Sequence, residues 1–138
     1  MSVTRFGISL ESPLLKRFDR LIKKKGYASR SEAIRDLIRD SLVTEEWKSD
    51  NIETVGTITL VYSHDIRELN DVLNDIQHHY HQLVISTTHI HLDGHNCLEV
   101  IIVKGKSEDI RTVADKLIGT KGVKHGKLTA TTTGKRLK

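Results

Sequence analysis

The first 45 residues contain one strand-like segment and two helix-like segments, and the strand has no neighbouring strand to pair with. Over residues 4–10 (TRFGISL) apolar and polar side chains alternate, which predicts a strand with Phe6, Ile8 and Leu10 on one side. A lone strand leaves its backbone groups unpaired, and a segment this short buries too little surface to fold alone. We therefore expect it to pair with the same strand of a second copy of the chain.

Two helices are expected after this strand. Ser12 and Pro13 have the pattern of an N-cap followed by proline at the first helical position. Gly26 is expected to end that helix as a C-cap. Ser29 and Glu32 have the spacing of a capping box, which predicts the beginning of the second helix.

Residues 3–42 resemble the ribbon-helix-helix family, notably in the stretch GYASRSEAIRDLIRDSL. In this arrangement two copies pair their strands, and the ribbon enters the DNA major groove. The resemblance makes Arg5, Gly7 and Ser9 the outward, DNA-reading face. Arg5 suits guanine and Ser9 discriminates little, whereas Gly7 cannot read a base edge, so the operator sequence does not follow from these residues.

The polar segment 44–53 (TEEWKSDNIE) has no periodicity and is interpreted as a linker. We expect a DNA-binding domain over residues 1–45, a linker over 46–53 and a second domain over 54–138. Strand, helix, strand, strand, helix and strand are predicted in that domain over residues 54–62, 65–81, 83–92, 97–105, 107–119 and 122–133. The order βαββαβ is typical of ferredoxin-like (ACT-type) domains, so the whole chain is predicted to be α+β.

Both helices of the second domain are predicted to be amphipathic. The inward side chains of the first are expected to be Ile66, Leu69, Val72, Leu73 and Ile76. Those of the second are expected to be Ile110, Val113, Ala114 and Leu117. These two apolar faces are expected to pack on the sheet.

Charge is unevenly distributed along the chain. The net charge is +4 overall, but it is +5 over residues 1–28, −6 over 50–120 and +6 over 121–138. This pattern favours a polyanion partner at the basic front and a cation held behind it, and ordinary solubilising charge is an equally weighted alternative. No apolar run is long enough for a membrane span and no apolar signal core is present, so a cytoplasmic protein is expected.

Seven of the eight histidines lie between positions 64 and 95, close to the single cysteine. His89 and His91 are two residues apart on a predicted strand, so both imidazoles face the same side. The turn at Asp93-Gly94 folds the next strand back, and Cys97 begins it. The motif His89-x-His91-x5-Cys97 predicts three ligands to one metal, whereas surface histidines beside a buried thiol are the simpler alternative.

Three ligands leave one coordination position open. The run His78-His79-Tyr80-His81 closes the preceding helix and is a good source of a fourth ligand, including from a neighbouring subunit. Imidazoles with a thiolate suit zinc, cobalt, nickel or copper. Square-planar placement would select Ni(II) or Cu(II) and tetrahedral placement zinc, and spacing alone does not decide between them.

The stretch from His78 to Gly105 (HHYHQLVISTTHIHLDGHNCLEVIIVKG) and GVKHGKL at 122–128 resemble the metal-binding domain of nickel-responsive regulators. The resemblance implies a homotetramer, a dimer of dimers, with one square-planar Ni(II) per subunit at subunit interfaces. It implies His89, His91 and Cys97 of one chain and His78 of another as ligands. It also implies that the nickel-loaded form binds a palindromic double-stranded operator and represses nickel-uptake genes.

The same resemblance assigns further roles. Tyr62 and Glu99 match positions that support the ligands, and Arg67 matches a contact to DNA phosphate. A second cation, such as potassium, is implied at the carboxylates of Glu32 and Asp36; for these a plain capping box and a solvated charge are the alternatives. Backbone carbonyls near three residues would complete that site: Ile118, Thr120 and Val123. The roles of five other histidines stay open: His64, His79, His81, His95 and His125.

Three other functions are weighed against this one. An enzyme is not expected, because the motif lacks the neighbouring glutamate of a hydrolytic zinc site. An amino-acid-responsive regulator is the stronger alternative, since βαββαβ domains commonly bind small molecules at subunit interfaces. A zinc or copper sensor on the same scaffold is the third. Metal analysis of protein purified without chelator and the visible spectrum of the loaded metal would separate them.

Overall fold

The computed structural model describes residues 2–137. The helices are α1 (Ser12–Lys24), α2 (Arg30–Lys48), α3 (Leu69–His79) and α4 (Ser107–Ile118), and the strands are β1 (Glu53–Ser63), β2 (Val84–His91), β3 (Asn96–Lys106) and β4 (Val123–Thr131). The chain divides into two units between Ser41 and Leu42. This mixture confirms the predicted α+β fold. Within the described residues no helix is long and apolar enough to cross a membrane.

The segment before α1 departs from the predicted secondary structure. Residues 2–11 form no strand within this chain. A strand needs a partner for its backbone groups, and one copy of the chain offers this segment none. Phe6 and Ile8 are accordingly 69% and 59% exposed. The expected strand is therefore wrong for the single chain, and its pairing with a second copy stays a prediction.

The ends of α1 are set by local chain geometry. The helix begins at Ser12, so the N-cap is Glu11 and not Ser12 as expected. Gly26 has a φ of +85°, a conformation that favours glycine. The N–H of Tyr27 donates to the carbonyl of Ile22 at 3.0 Å. This is the Schellman arrangement, and it confirms Gly26 as the residue that ends the helix.

Helix α2 begins as predicted but ends later. The N–H of Glu32 donates to the Ser29 Oγ at 3.2 Å, which is one half of the capping box. The helix then continues to Lys48, so it extends into the segment that was interpreted as a linker. Val43 and Trp47 pack against the core of the C-terminal unit, and their burial stabilises turns that the polar sequence alone does not predict.

The C-terminal unit has the predicted βαββαβ order around one antiparallel sheet. The strand order is β2-β3-β1-β4, with β1 paired to both β3 and β4. Its central strands alternate buried and half-buried residues, so one face of the sheet enters the core. The core residues are Trp47, Ile58, Leu60, Tyr62, Leu69, Leu73, Cys97, Ile101, Val103, Ile110, Val113, Ala114 and Leu117.

The two helices of this unit differ in how well their inward faces were predicted. All four expected residues of α4 are buried: Ile110, Val113, Ala114 and Leu117. In α3, Leu69 and Leu73 are buried as expected, but Ile66 and Val72 are exposed. Only one narrow stripe of α3 faces the core, so the prediction assigned it too wide an apolar face.

The start of α3 explains part of that error. Glu68 has a φ of +68°, a left-handed conformation that few non-glycine residues adopt, and the helix begins after it at Leu69. The preceding residues form turns, in which the Ile66 N–H bonds to the Ser63 carbonyl at 3.4 Å. Ile66 therefore precedes the helix, whereas the prediction placed it in the first turn.

The opposite face of the sheet is partly apolar. The register places Ile90, Leu98 and Val61 side by side across β2, β3 and β1. Ile90 and the neighbouring Leu92 are exposed, and Leu98 and Val61 are half-buried. We call this side of the sheet the open face. Its adjacent apolar side chains form a patch that is unusual for a surface facing only water.

Candidate metal centre

The candidate centre lies where β2 and β3 form a hairpin. His91 is paired with Cys97, and His89 is paired with Glu99. The loop between the strands is closed by Asp93, whose Oδ1 accepts the Asn96 N–H at 2.7 Å. Hydrogen bonds from the Asn96 side chain and from backbone N–H groups lower the pKa of Asp93 to about 2. The predicted turn thus brings the two histidines and the cysteine to one end of the sheet.

Cys97 is the buried centre of the group. It lies on β3, between Tyr62 of β1 and His91 of β2 in the register, and is fully buried. The His91 Nδ1 is 3.5 Å from the Cys97 Sγ. The His64 Nδ1 is 3.3 Å from the same sulfur. The potential ligand atoms of His64, His91 and Cys97 all lie within 4.8 Å of one another.

His89 lies beside this trio. Its ring centroid is 5.5 Å from that of His91 and 5.9 Å from that of Tyr62. Its Nδ1 is 3.8 Å from the Glu99 Oε1. His89 is thus next to His91 and on the same side of the strand, as predicted, but in this conformation it faces Glu99, while His64 contacts the cysteine.

His78 lies elsewhere in the chain. It occupies the last turn of α3, where its ring centroid is 6.1 Å from that of His81. It is not a member of the trio formed by described residues of its own chain. Its assignment as a ligand from another subunit therefore stays a prediction.

A network of hydrogen-bonded polar side chains around the buried Glu99 supports the hairpin. Glu99 is only 2% exposed. Its Oε2 accepts a hydrogen bond from the Gln77 Nε2 at 2.8 Å, and its Oε1 accepts one from the Tyr62 hydroxyl at 3.3 Å. The Gln77 Oε1 in turn accepts from the Thr87 hydroxyl at 2.8 Å. The network joins α3 to β1, β2 and β3.

Tyr62 is a donor in this network. Burial raises the pKa of Tyr62 above its ordinary value, and the Glu99 carboxylate beside it raises that pKa further. The hydroxyl therefore keeps its proton and donates to the carboxylate. Tyr62 and Glu99 both lie beside His89, and their role in supporting the metal ligands stays a prediction.

Two members of the centre were missed from the sequence. His64 is 33 residues before Cys97, and its role was left open. Gln77 was not singled out, although a signal was available: it follows Leu69 and Leu73 at four-residue spacing, so a polar side chain interrupts the buried stripe of α3. A polar residue at such a position requires a buried partner, and Glu99 is that partner.

The donor set fits a late first-row transition metal. Atoms bound to one ion at about 2.0–2.3 Å lie roughly 3–3.5 Å from each other. The contacts of the Cys97 sulfur with His64 and His91, at 3.3 and 3.5 Å, have that spacing. Imidazole nitrogens with a thiolate sulfur are ligands suited to nickel, copper, zinc and cobalt.

The residues expected at the second cation site are divided between the two units. Glu32 and Asp36 lie on α2 before the unit boundary. The Asp36 Oδ2 accepts a hydrogen bond from the Tyr27 hydroxyl at 2.7 Å. In the C-terminal unit the Thr120 carbonyl accepts the N–H of Val123 at 3.1 Å. The site stays a prediction.

The predicted DNA-contacting residues are accessible. Arg5, Gly7 and Ser9 are exposed in the segment before α1, and nothing lies within 4 Å of a Cβ atom placed on Gly7. Arg67 is exposed in the turn before α3. Contact of these residues with DNA stays a prediction.

The other histidines lie around the centre with different partners. The His95 Nδ1 is 2.6 Å from the Asp65 Oδ2, and the His81 Nδ1 is 3.1 Å from the His78 carbonyl. His79 packs edge-on against Tyr80. His125 lies on β4, exposed and paired with Val61. None of these four joins the trio in the described part of the chain.

Known protein families match both the N-terminal and the C-terminal region of the chain. Residues 55–131 match the family described as the NikR C terminal nickel binding domain. Residues 4–45 match the ribbon-helix-helix proteins of the copG family. The two matches cover the N-terminal and C-terminal regions in the predicted order.

Full-length relatives agree as well. The chain is 58% identical over 135 residues to a protein of Caldanaerobacter subterraneus subsp. tengcongensis. The aligned region covers 98% of this chain and 88% of the relative. It is 59% identical over 133 residues to proteins of Geotalea uraniireducens and of Geobacter sp. strain M21, with 96% of each chain covered. Each bears the name "Putative nickel-responsive regulator". This chain belongs to the family of nickel-responsive regulators, with a ribbon-helix-helix domain followed by a NikR-type nickel-binding domain.

Proposed function

We propose that this chain is a nickel-responsive transcriptional regulator whose Ni(II)-loaded form binds a palindromic operator and represses nickel-uptake genes. The observation that carries the proposal is the cluster of His64, after β1, with His91 and Cys97 of the β2–β3 hairpin, in a chain that also matches a DNA-binding family. A regulator of this kind acts on chromosomal DNA, which places it in the cytoplasm.

His89, His91 and Cys97 of one subunit and His78 of the partner subunit are the proposed ligands, with one Ni(II) per subunit. The strand positions of His89 and His91 beside Cys97 support three of them. The fourth is supported by the place of His78 at the exposed end of α3, apart from the trio of its own chain. His64 then competes with His89 for the position beside Cys97, because its Nδ1 is 3.3 Å from the sulfur.

The polar network ties the ligands to α3. Gln77 is bonded to Glu99 and directly precedes His78, while Glu99 faces His89. A bound ion would supply bonds that join a sulfur and two imidazoles of one subunit to an imidazole of another. Glu99 would hold His89 of one subunit in place, and Gln77 would hold the end of α3 that carries His78.

Assembly as a homotetramer is the proposed quaternary structure. A groove of about 370 Å³ in the N-terminal unit is lined by apolar side chains that a second ribbon-helix-helix copy would cover: Ile8, Leu10, Leu14, Leu15, Phe18, Ile34 and Leu37. The open face of the C-terminal sheet is the proposed contact between dimers. Both surfaces are too apolar to be left in water at no cost.

DNA contacts are assigned to the accessible basic and small residues. Arg5 and Ser9 would read base edges, with Gly7 allowing close approach, and Arg67 would bind phosphate. The excess of basic residues over positions 1–28 supports a polyanion partner. A second cation held by Glu32 and Asp36 with carbonyls of the loop after α4 would connect the two domains when DNA is bound.

No observation on the described residues favours an amino-acid-responsive, zinc-responsive or copper-responsive regulator. The match to a family of regulators likewise makes an enzyme the weaker interpretation. Nickel is therefore the proposed physiological ligand.

The test is DNA binding with and without Ni(II). Because the operator is unknown, a duplex is first selected from a random-sequence library by the nickel-loaded protein. A ligand shifts DNA affinity only through its differential affinity for two states, and a coupling of about 1–3 kcal/mol corresponds to roughly 5–150-fold. We expect Ni(II) to tighten binding of this duplex within that range. Cys97→Ser should lose both the nickel effect and the sulfur-to-nickel absorption band, and equal affinity with and without Ni(II) in the wild type would contradict the proposal.

A further inference from the structure

The last turns of α2 are built into the C-terminal unit. Glu46 and Trp47 are only 7% and 3% exposed, although the surrounding sequence is polar. Trp47 belongs to the core cluster of the sheet, and Val43, one turn earlier, packs against that cluster. Part of the segment interpreted as a linker is therefore held by contacts with the sheet.

Trp47 makes three kinds of contact in this unit. Its indole Nε1 donates a hydrogen bond to the Thr131 carbonyl at the end of β4, at 2.7 Å. The guanidinium carbon of Arg111 on α4 lies 5.4 Å from the centroid of the ring. A Cβ atom placed on Gly56 of β1 would lie 3.4 Å from the Trp47 Cη2, so the ring packs directly against this strand.

The residues on either side of Trp47 are bonded to the same unit. The Glu46 Oε2 accepts a hydrogen bond from the Thr132 hydroxyl at 2.9 Å. The Ser49 carbonyl accepts one from the fully buried hydroxyl of Ser107, at the start of α4, at 3.3 Å. We call Glu46, Trp47, Thr131 and Thr132 the α2 anchor.

The anchor bears on how the two domains communicate. Helix α2 is continuous from Arg30 to Lys48, so its helical backbone leads from the residues of the ribbon-helix-helix domain to the anchor without a break. Coupling between distant sites requires an element that both sites bias. A helix fixed at one end by buried contacts meets that requirement better than a polar loop does.

We propose that Trp47 is a positioning residue for the nickel response: it fixes the last turns of α2 to the sheet of the metal-binding domain, so that the metal state of that domain reaches the DNA-binding helices through α2. The inference rests on the proposed nickel-dependent DNA binding. It assigns transmission to the anchored helix end and not to flexing of residues 46–53.

The test measures the ratio of DNA dissociation constants without and with Ni(II), on the duplex selected by the wild-type protein. Trp47→Phe keeps a ring but loses the bond to Thr131, and Trp47→Ala loses the ring as well. We expect the ratio to fall part of the way towards one in Trp47→Phe and to lie close to one in Trp47→Ala. Nickel stoichiometry and the sulfur-to-nickel band, which report on the metal site, should stay at wild-type values.

A matched pair of variants tests the anchor without touching the tryptophan. Thr132→Val removes the donor to Glu46, whereas the adjacent Thr133→Val removes a hydroxyl that accepts the N–H of Lys135 in the same tail. The nickel ratio should fall in the first and stay unchanged in the second. This pair decides the matter if Trp47→Ala does not fold.

The outcomes separate the inference from the function on which it rests. A nickel-dependent wild type whose folded Trp47→Phe and Thr132→Val variants keep the full ratio would overturn the role of the anchor alone. A wild type with no nickel dependence would refute the proposed function, and the inference with it. Loss of nickel binding in the Trp47 variants would also overturn the inference, because Trp47 would then be a general support of the metal domain.

Discussion

In the N-terminal unit Phe6 and Ile8 lie exposed, whereas in the C-terminal unit Ile58 and Leu60 are fully buried beneath α3 and α4. In the first unit only Ile22 and Ala33 are buried among the described apolar residues, and its apolar groove is open. The second has a packed core, and His78, the ligand proposed to come from another subunit, is not part of the trio that His64, His91 and Cys97 form within the described residues. In the proposed assembly a second copy of the chain would cover the groove of the first unit and supply His78 to the metal site of the second.

The largest expected difference is in autonomous folding. A fragment of residues 1–45 should show no cooperative thermal transition when it is monomeric, because its predicted strand has no partner. A fragment of residues 42–138 should melt cooperatively, because it retains the sheet, both packed helices and Trp47. Circular dichroism melts over a range of concentrations, with sedimentation, check both. A monomeric, cooperatively folded fragment of residues 1–45 would break the comparison.

Within the C-terminal unit, two adjacent residues of α3 should differ in their effect on stability. Leu73→Ala removes a fully buried side chain and should lower the free energy of unfolding by about 2–5 kcal/mol. Val72→Ala, on the exposed side of the same turn, is the control and should cost less than about 1 kcal/mol. Denaturant titrations measure both, and equal costs would show that the described core is incorrect.

The polar network sets an expectation for the metal site. Gln77→Leu removes the donor to Glu99 and leaves this buried carboxylate with one hydrogen bond fewer. Loss of such a supporting contact typically weakens metal affinity by about 10–100-fold. Nickel titrations against a chelator should show this loss, while Gln82→Leu, in the loop after α3, should bind as the wild type does. Unchanged nickel affinity in Gln77→Leu would show that the polar network does not support metal binding.

The smallest expected effect is on a surface ion pair of the N-terminal unit. Two hydrogen bonds from Arg30, at 2.9 and 2.8 Å, lower the pKa of the Asp19 carboxyl below its ordinary 3.8. The folded-state pKa is depressed, so the contribution is present above about pH 4 and is lost as the pH falls below it. Asp19→Asn should therefore slightly lower the melting temperature at pH 7 and have a smaller effect near pH 3. An equal effect at both pH values would assign the loss to something other than the charge.

The sequence predicted what its periodicity and spacing specify locally. The inward face of α4 and the order of the strands follow from regular apolar patterns that the sheet then uses. The start of α3 was placed too early, because the left-handed conformation of Glu68 has no sequence signal and Ile66 suggested a longer apolar face. The end of α2 was missed because its support comes from Thr131 and Thr132, more than 80 residues away.

The candidate site was predictable to the same degree. His89, His91 and Cys97 share a hairpin, so their proximity follows from strand geometry and one turn. His64 reaches Cys97 only because β1 and β3 are neighbours in the sheet. Local spacing does not predict which distant strands pair. It predicts even less about residues that a second subunit contributes.

The most direct test of the central claim, that a second copy completes the metal site, is nickel stoichiometry in mixed assemblies. His78→Ala and Cys97→Ala proteins are prepared separately, mixed under conditions of verified subunit exchange, and loaded in the presence of a chelator that strips incomplete sites. Each alone should retain almost no nickel. Random mixing should restore about one quarter of the wild-type content, because an intact His78 then meets an intact Cys97 in that fraction of sites. No recovery after verified exchange would contradict the claim and place all ligands within one chain.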